Sequence, residues 1–160
     1  MKTLLLISFM VGSTFILKAQ KYRTALGIKG DVSTVNMASA DLSIKHFFVG
    51  QNAFEINLGG SKRHFWLQAL YHRNQFLTSD LEWYWGAGPD VGYWRKGVNI
   101  RGNVTYSEGL WLGLNSVLGL EYTFDYFPIN LALDTGPTLR IVPDIKFGWM
   151  AGISLRYGFR

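Results

Sequence analysis

The sequence has no cysteine. That excludes disulfide scaffolds, thiolate metal sites, cysteine nucleophiles and an acylated N-terminal cysteine. Charge is scarce: Asp, Glu, Lys and Arg make up 17% of residues, against about 25% in average proteins. The net charge of +5 is scattered, with no run of Lys and Arg, so no nucleic-acid partner is expected. After residue 20 no stretch keeps helical periodicity, and none is long and apolar enough for a membrane helix. His46, His64 and His72 are scattered, without HExxH or HxH spacing, so no metal is expected. The glycines of Gly86-Ala87-Gly88 lie inside a strand pattern and do not form a phosphate loop. No catalytic residue, cofactor-binding residue or metal ligand is assigned, and no cofactor is implied.

Aromatics and glycine are abundant. Phe, Trp and Tyr reach 16%, and 18 of 160 residues are Gly. A soluble domain of this size is expected to be more charged and less aromatic.

The first residues read as a targeting segment. Lys2 precedes the apolar run Leu4–Leu17, which ends in Lys18-Ala19-Gln20. The run is shorter than the ~20 residues that span a bilayer, but suits a secretory signal. Ala19 is a small residue before a cleavage point. The expectation is a signal peptide over 1–19, export from the cytoplasm, and one domain over 20–160.

The remaining chain alternates with period two. In Leu110–Phe124 one face carries Leu110, Leu112, Leu114, Ser116, Leu118, Leu120, Tyr122 and Phe124, and the other Trp111, Gly113, Asn115, Val117, Gly119, Glu121 and Thr123. Phe147–Phe159 repeats the pattern, as do shorter stretches around Ile129–Thr135, Trp83–Ala87, Phe65–Tyr71 and Phe54–Leu58. Tyr22–Val32 and Ala40–Phe48 alternate more weakly. Turn-forming segments separate them at Ser33–Ala38, Val49–Asn52, Gly60–Arg63, Asn74–Asp80, Arg95–Gly109, Asp125–Pro128 and Val142–Lys146. This predicts an all-β fold: an eight-stranded antiparallel up-and-down transmembrane β-barrel, closed because lipid cannot satisfy an open edge. The longest connection, Arg95–Gly109, is the fifth and falls outward if the chain starts in the periplasm. Aromatics then form two girdles, one including Tyr22, Tyr71, Trp85, Tyr122 and Tyr157, the other Phe65, Tyr93, Phe147 and Trp149.

The segments Leu42-Ser43-Ile44-Lys45-His46-Phe47, Glu82-Trp83-Tyr84-Trp85-Gly86-Ala87-Gly88, Val117-Leu118-Gly119-Leu120-Glu121-Tyr122, Pro128-Ile129-Asn130-Leu131-Ala132-Leu133-Asp134 and Ile153-Ser154-Leu155-Arg156-Tyr157 resemble, in order and spacing, the small outer-membrane β-barrel family common in Bacteroidota. The architecture is similar to the eight-stranded domains of outer-membrane proteins A and X. The resemblance implies an outer-membrane location and supplies no defined activity.

Period two directs Arg23, Lys45, Glu55, Glu82, Glu121 and Arg156 into the lumen, with His72, and Asp134 nearer mid-height. Lys29 and Asp31 lie higher. An eight-stranded barrel is just wide enough for its own side chains, so these charges are expected to pair as a lumen ion network. Depth from the rim pairs Arg156 with Glu82, Glu121 or Asp134. Outside, Arg95, Lys96, Arg101 and Tyr106 form the expected loop contact, whose cations suit lipopolysaccharide phosphates. The expected role is a non-enzymatic outer-membrane barrel acting as a structural or interaction component. Its partners are outer-membrane lipids, lipopolysaccharide or a protein of an outer-membrane complex. The alternatives are a small-solute pore and a lipid-modifying enzyme, for which Ser61, His64 and Asp31 could converge.

Overall fold

The computed structural model describes residues 22–35, 38–61, 64–95, 98–100, 104–106 and 108–159; the expected leader over 1–19 lies outside them. Among the described residues ten strands form, in chain order β1 (Thr24–Ser33), β2 (Ser39–Val49), β3 (Asn52–Ser61), β4 (His64–Phe76), β5 (Leu81–Trp94), β6 (Val98–Ile100), β7 (Val104–Tyr106), β8 (Gly109–Thr123), β9 (Ile129–Val142) and β10 (Lys146–Phe159). Eight of them close into an antiparallel barrel in the order β1-β10-β9-β8-β5-β4-β3-β2. Closure comes from β1 against β10, in register from Thr24 with Phe159 to Ser33 with Met150. The long connection, expected as plain loop, carries the small hairpin β6–β7. We call the end holding it the loop end, and the opposite end, where β1 starts and β10 finishes, the terminus end.

Two strands run through a Gly-Pro pair: β5 passes Gly88-Pro89 and continues to Trp94, and β9 passes Gly136-Pro137 and continues to Val142. At each Gly-Pro the ladder lapses on one side only. Pairing of β4 with β5 skips from Gln68–Asp90 to Tyr71–Ala87, and pairing of β8 with β9 skips from Asn115–Thr138 to Leu118–Thr135. Proline has no N–H to give, so it is tolerated where a ladder bond is absent. Glycine is required beside it. A Cβ on Gly88 would stand 1.9 Å from the Ala69 carbonyl oxygen, and one on Gly136 2.0 Å from that of Ser116. The turn expected over Asn74–Asp80 is also shorter, because β4 extends to Phe76 and the Thr78 hydroxyl accepts from the Leu81 N–H at 3.1 Å.

The alternation sorts polar from apolar as in a barrel turned inside out. Lumen positions are mostly polar, small or aromatic, with Leu70, Val117 and Met150 as the larger aliphatic exceptions, while the outer face is largely leucine, isoleucine and aromatic. Leu118, Leu133 and Ile153 are 57%, 54% and 53% exposed. In water so continuous an apolar surface would aggregate; against hydrocarbon it is the stable arrangement, and a closed ladder leaves no edge. The barrel is transmembrane. β1, β2 and β3 have 10, 11 and 10 residues, close to the ~9–11 that cross a bilayer.

Aromatics ring both ends of the apolar band. Toward the terminus end Phe48 stacks on Phe54 at 4.8 Å, Tyr71 meets Trp85, and Tyr122–Phe124 and Tyr157–Phe159 pack as pairs. Toward the loop end Phe65 stacks on Tyr93, with Phe147 and Trp149 exposed beside the β9–β10 connection. Tyr22 is a correction to the expected girdle. It is 4% exposed and turned into the lumen, because the chain bends at Arg23, one residue before β1 begins.

Candidate functional site

Charged groups from opposite walls meet in the lumen. Lys29 of β1 reaches Asp134 of β9 at 2.8 Å and Glu55 of β3 at 3.2 Å. Glu55 also accepts from Arg156 Nη2 at 2.7 Å. Lys45 of β2 donates to Glu121 of β8, across the full diameter, since β2 and β8 lie four strands apart in the closed order. All six groups have fully buried side chains.

Neutral groups complete the network. Tyr22 donates to Glu121, as does Asn130 Nδ2 at 2.8 Å. Asn130 Oδ1 accepts from Arg156 at 3.4 Å, so Asn130 joins the two ion clusters. Tyr84 donates to Asp134 at 2.9 Å, Asn57 to Glu55 at 2.9 Å, and Ser43 accepts from Arg156 Nε at 3.0 Å. Glu82 accepts from Asn74 at 2.8 Å and stands in register with Glu121. His72 stacks on Tyr84 with ring centroids 4.7 Å apart, its Nδ1 3.6 Å from Glu55. Such satisfaction is what makes buried charge tolerable, since each ion loses its hydration.

The structure thus places Lys45, Glu55, Glu82, Glu121, Asp134 and Arg156 inside the lumen. Arg23 is corrected: it is exposed. Its backbone N–H bonds the Phe159 carbonyl at 3.0 Å and its carbonyl accepts from Phe47 N at 2.9 Å, but the bend there gives the inward position to Tyr22. The expected partner of Arg156 is also corrected, from Glu82, Glu121 or Asp134 to Glu55. The reason is the rung in which Arg156 stands. Its register partner on β1 is Gly27, which pairs in turn with Ser43 on β2. With no side chain at Gly27, the guanidinium extends over β1 and β2 to Glu55. Rungs in a barrel run oblique to its axis, so depth counted along each strand misjudges lateral neighbours. Lys29, Tyr22, Tyr84, Asn57, Asn74 and Asn130 belong to the network too; the same period-two count, applied to neutral polar residues, carries most of them.

Apolar groups close the space that the network leaves. Tyr22, Ala25, Phe47 and Ala53 cluster at the terminus end, and Leu70, Tyr84, Val117, Ala132 and Met150 at mid-height. Toward the loop end lies a cavity of about 40 Å3 lined by Asp31, Asp41, Asp90 and three tryptophans. His64 and Asp31 both line it, while the side chain of Ser61 lies outside the described residues. Of the expected loop contact, Arg95 is exposed just beyond β5 and Tyr106 ends β7; Lys96, Arg101 and the Tyr106 side chain lie outside the described residues.

No family model and no curated protein sequence matches this chain. Its shape is similar to that of solved structures. The N-terminal β-barrel domain of Pseudomonas aeruginosa OprF matches with a TM-score of 0.65 at 17% identity, over 85% of this chain and 96% of that one. Neisserial surface protein A matches with a TM-score of 0.53 at 13% identity, over 85% of this chain and 94% of that one. The likeness is one of fold.

Proposed function

We propose that this chain is a non-conducting, non-enzymatic barrel of the bacterial outer membrane, a structural or interaction component that works through its outer loops or its wall. One observation carries the reading. Lys29, Glu55, Arg156, Asn130, Glu121 and Lys45 link six of the eight barrel strands, β1, β2, β3, β8, β9 and β10, in one continuous buried network. A solute pore needs a water-filled path, and here the path is occupied by paired side chains above an apolar cluster. The apolar exterior, the expected leader over 1–19 and the fold shared with outer-membrane barrels support the location. The segment order supports a place among the small outer-membrane barrels of Bacteroidota.

Exposed Arg95 and the rest of the fifth connection are the proposed contact for lipopolysaccharide phosphates or for a protein of an outer-membrane complex. Single-channel recording of purified protein in planar bilayers tests the central point. The expected result is a silent membrane. A reproducible conductance that rises in Lys45→Ala, which opens the diametric bridge, makes the small-solute pore the correct reading.

A further inference from the structure

The outer wall is not evenly clad. Along one rung five long aliphatic side chains stand side by side: Leu58 of β3, Leu42 of β2, Ile28 of β1, Leu155 of β10 and Leu131 of β9. One rung nearer the loop end, β3, β2 and β1 carry almost nothing. Ala40 pairs with Gly30, and Gly60 follows Gly59, the partner of Asp41. The result is a recess of about 860 Å3 in the wall, with the aliphatic rung as its ledge. Phe65, the partner of Gly60, closes one end, and Ile153, the partner of Gly30, the other. Lys29 and Asp41 also border it, but their side chains are buried on the lumen side, so its surface is apolar.

The glycines of this floor differ from those of the lumen. A Cβ on the inward-facing Gly59, Gly92 or Gly119 would stand 2.2, 2.3 or 2.4 Å from a neighbouring side chain, so packing demands glycine there. On the outward-facing Gly30 the nearest atoms would be 3.9 Å away, and on Gly60 3.4 Å, which are ordinary contacts. Either position has room for a side chain, and glycine weakens a strand. Its presence at both secures the depth of the recess and adds nothing to the closure of the barrel.

Position and shape select the occupant. Gly30, Ala40 and Gly60 lie near the loop-end limits of their strands, Ser33, Ser39 and Ser61, so the recess opens toward the interface at that end. It is continuous with the wall that meets hydrocarbon, where Ile28, Leu42, Leu58 and Leu155 are exposed. Outward positions on a strand recur every two residues, roughly 7 Å, and from Gly60 to Ile153 the recess crosses three strand spacings, roughly 14 Å. A transmembrane helix is about 10–12 Å across and stays outside so narrow a recess. A single extended hydrocarbon chain lies along it, against the ledge, and regains the dispersion contacts that an empty recess forfeits. A cis double bond bends such a chain and methyl branches widen it, so the fit is for a straight, unbranched one.

We propose that the recess holds one straight saturated acyl chain of a membrane lipid whose headgroup lies at the loop end. The site rests on the lipid-facing wall and not on the silence of the lumen, so a conducting barrel would leave it intact.

Full-length folded protein is exchanged into a steroid detergent, which has no straight chain to compete, and loaded with dimyristoyl phosphatidylcholine. Native mass spectrometry reads the lipid carried by each barrel. The expected result is retention that saturates at one lipid per barrel. Diphytanoyl phosphatidylcholine, with the same headgroup and methyl-branched chains, is retained about tenfold more weakly. Gly30→Leu and Ala40→Leu, which fill the floor, each weaken retention of the dimyristoyl lipid about tenfold. Ala87→Leu adds similar bulk to the outer face of β5, four strands from β1 in the closed order, and leaves retention unchanged. Heat-modifiable gel migration checks that each variant folds, and if neither floor variant does, the comparison of the two lipids on the wild-type protein decides. Equal retention of straight and branched lipids, undiminished retention by the folded floor variants, or lipid uptake without a plateau at one overturns the proposal. So does a protein that retains no lipid; if it migrates as a dimer, a second copy of the chain covers the recess.

Discussion

Arg156 on β10 donates from Nη2 to Glu55 Oε2 on β3 at 2.7 Å, with two strands of the wall between them. The contact exists because Gly27 and Ser43 fill the intervening rung with almost nothing. Glu55 is thereby shared between Arg156 and Lys29, and neither cation is redundant.

Arg156→Ala is expected to destabilise the barrel by about 3–5 kcal/mol, because it leaves Glu55 with half of its compensation in a buried place. Glu55→Gln in the same chain is expected to recover part of that loss. Urea unfolding in micelles, followed by tryptophan fluorescence, measures the double-mutant cycle. Additive losses would show that water, and not Arg156, solvates Glu55.

Leu118 is 57% exposed at the middle of β8. Leu118→Arg is expected to cost about 2–4 kcal/mol of stability in the bilayer, whereas Leu118→Ala folds into vesicles with little loss. Equal folding yields for the two variants would mean that this face does not meet hydrocarbon.

Gly27 and Gly30 lie on the same strand in unlike surroundings. A Cβ on Gly27 would stand 2.0 Å from the Leu155 carbonyl oxygen, but one on Gly30 has no neighbour nearer than 3.9 Å. Gly27→Ala is therefore expected to lower the thermal unfolding midpoint clearly and Gly30→Ala to leave it unchanged. The seam concerned is the β1–β10 closure, so scanning calorimetry of the two variants reports on that seam directly.

Cleavage after Ala19 is expected to give a mature chain beginning at Gln20. Edman degradation of protein recovered from the outer-membrane fraction reads this out. Recovery of the folded chain from the soluble periplasm would contradict a lipid-facing wall.

The barrel was legible in the sequence where alternation is long and chemically clean, as in β8 and β10. There the leucines and aromatics outside alternate with mostly small, polar or charged residues inside, Trp111, Val117 and Met150 being the apolar exceptions. It was obscured where two effects compete. Gly88-Pro89 and Gly136-Pro137 carry the local chemistry of a strand end, but in the closed barrel the neighbouring strand supplies the continuation, and only one ladder lapses. The membership of the network was largely readable from parity, whereas its pairing was not. Parity says which side chains point inward; the oblique rungs decide which of them touch. Arg23 shows the remaining failure, since parity holds only once the strand has begun.

The lumen pairs join the two halves of the chain. Lys29 meets Asp134 105 residues later, Lys45 meets Glu121 after 76, and Glu55 meets Arg156 after 101. Until β8, β9 and β10 arrive, Lys45 has no counter-ion on the inner face of an open sheet, and Lys29 and Glu55 have only each other. Ions without counter-ions are disfavoured in hydrocarbon, so the first half of the chain cannot cross ahead of the second. Entry into the bilayer and ring closure are therefore one kinetic event, slow because its decisive contacts are distant in sequence. Loss of β10 alone would strand the chain at the membrane surface.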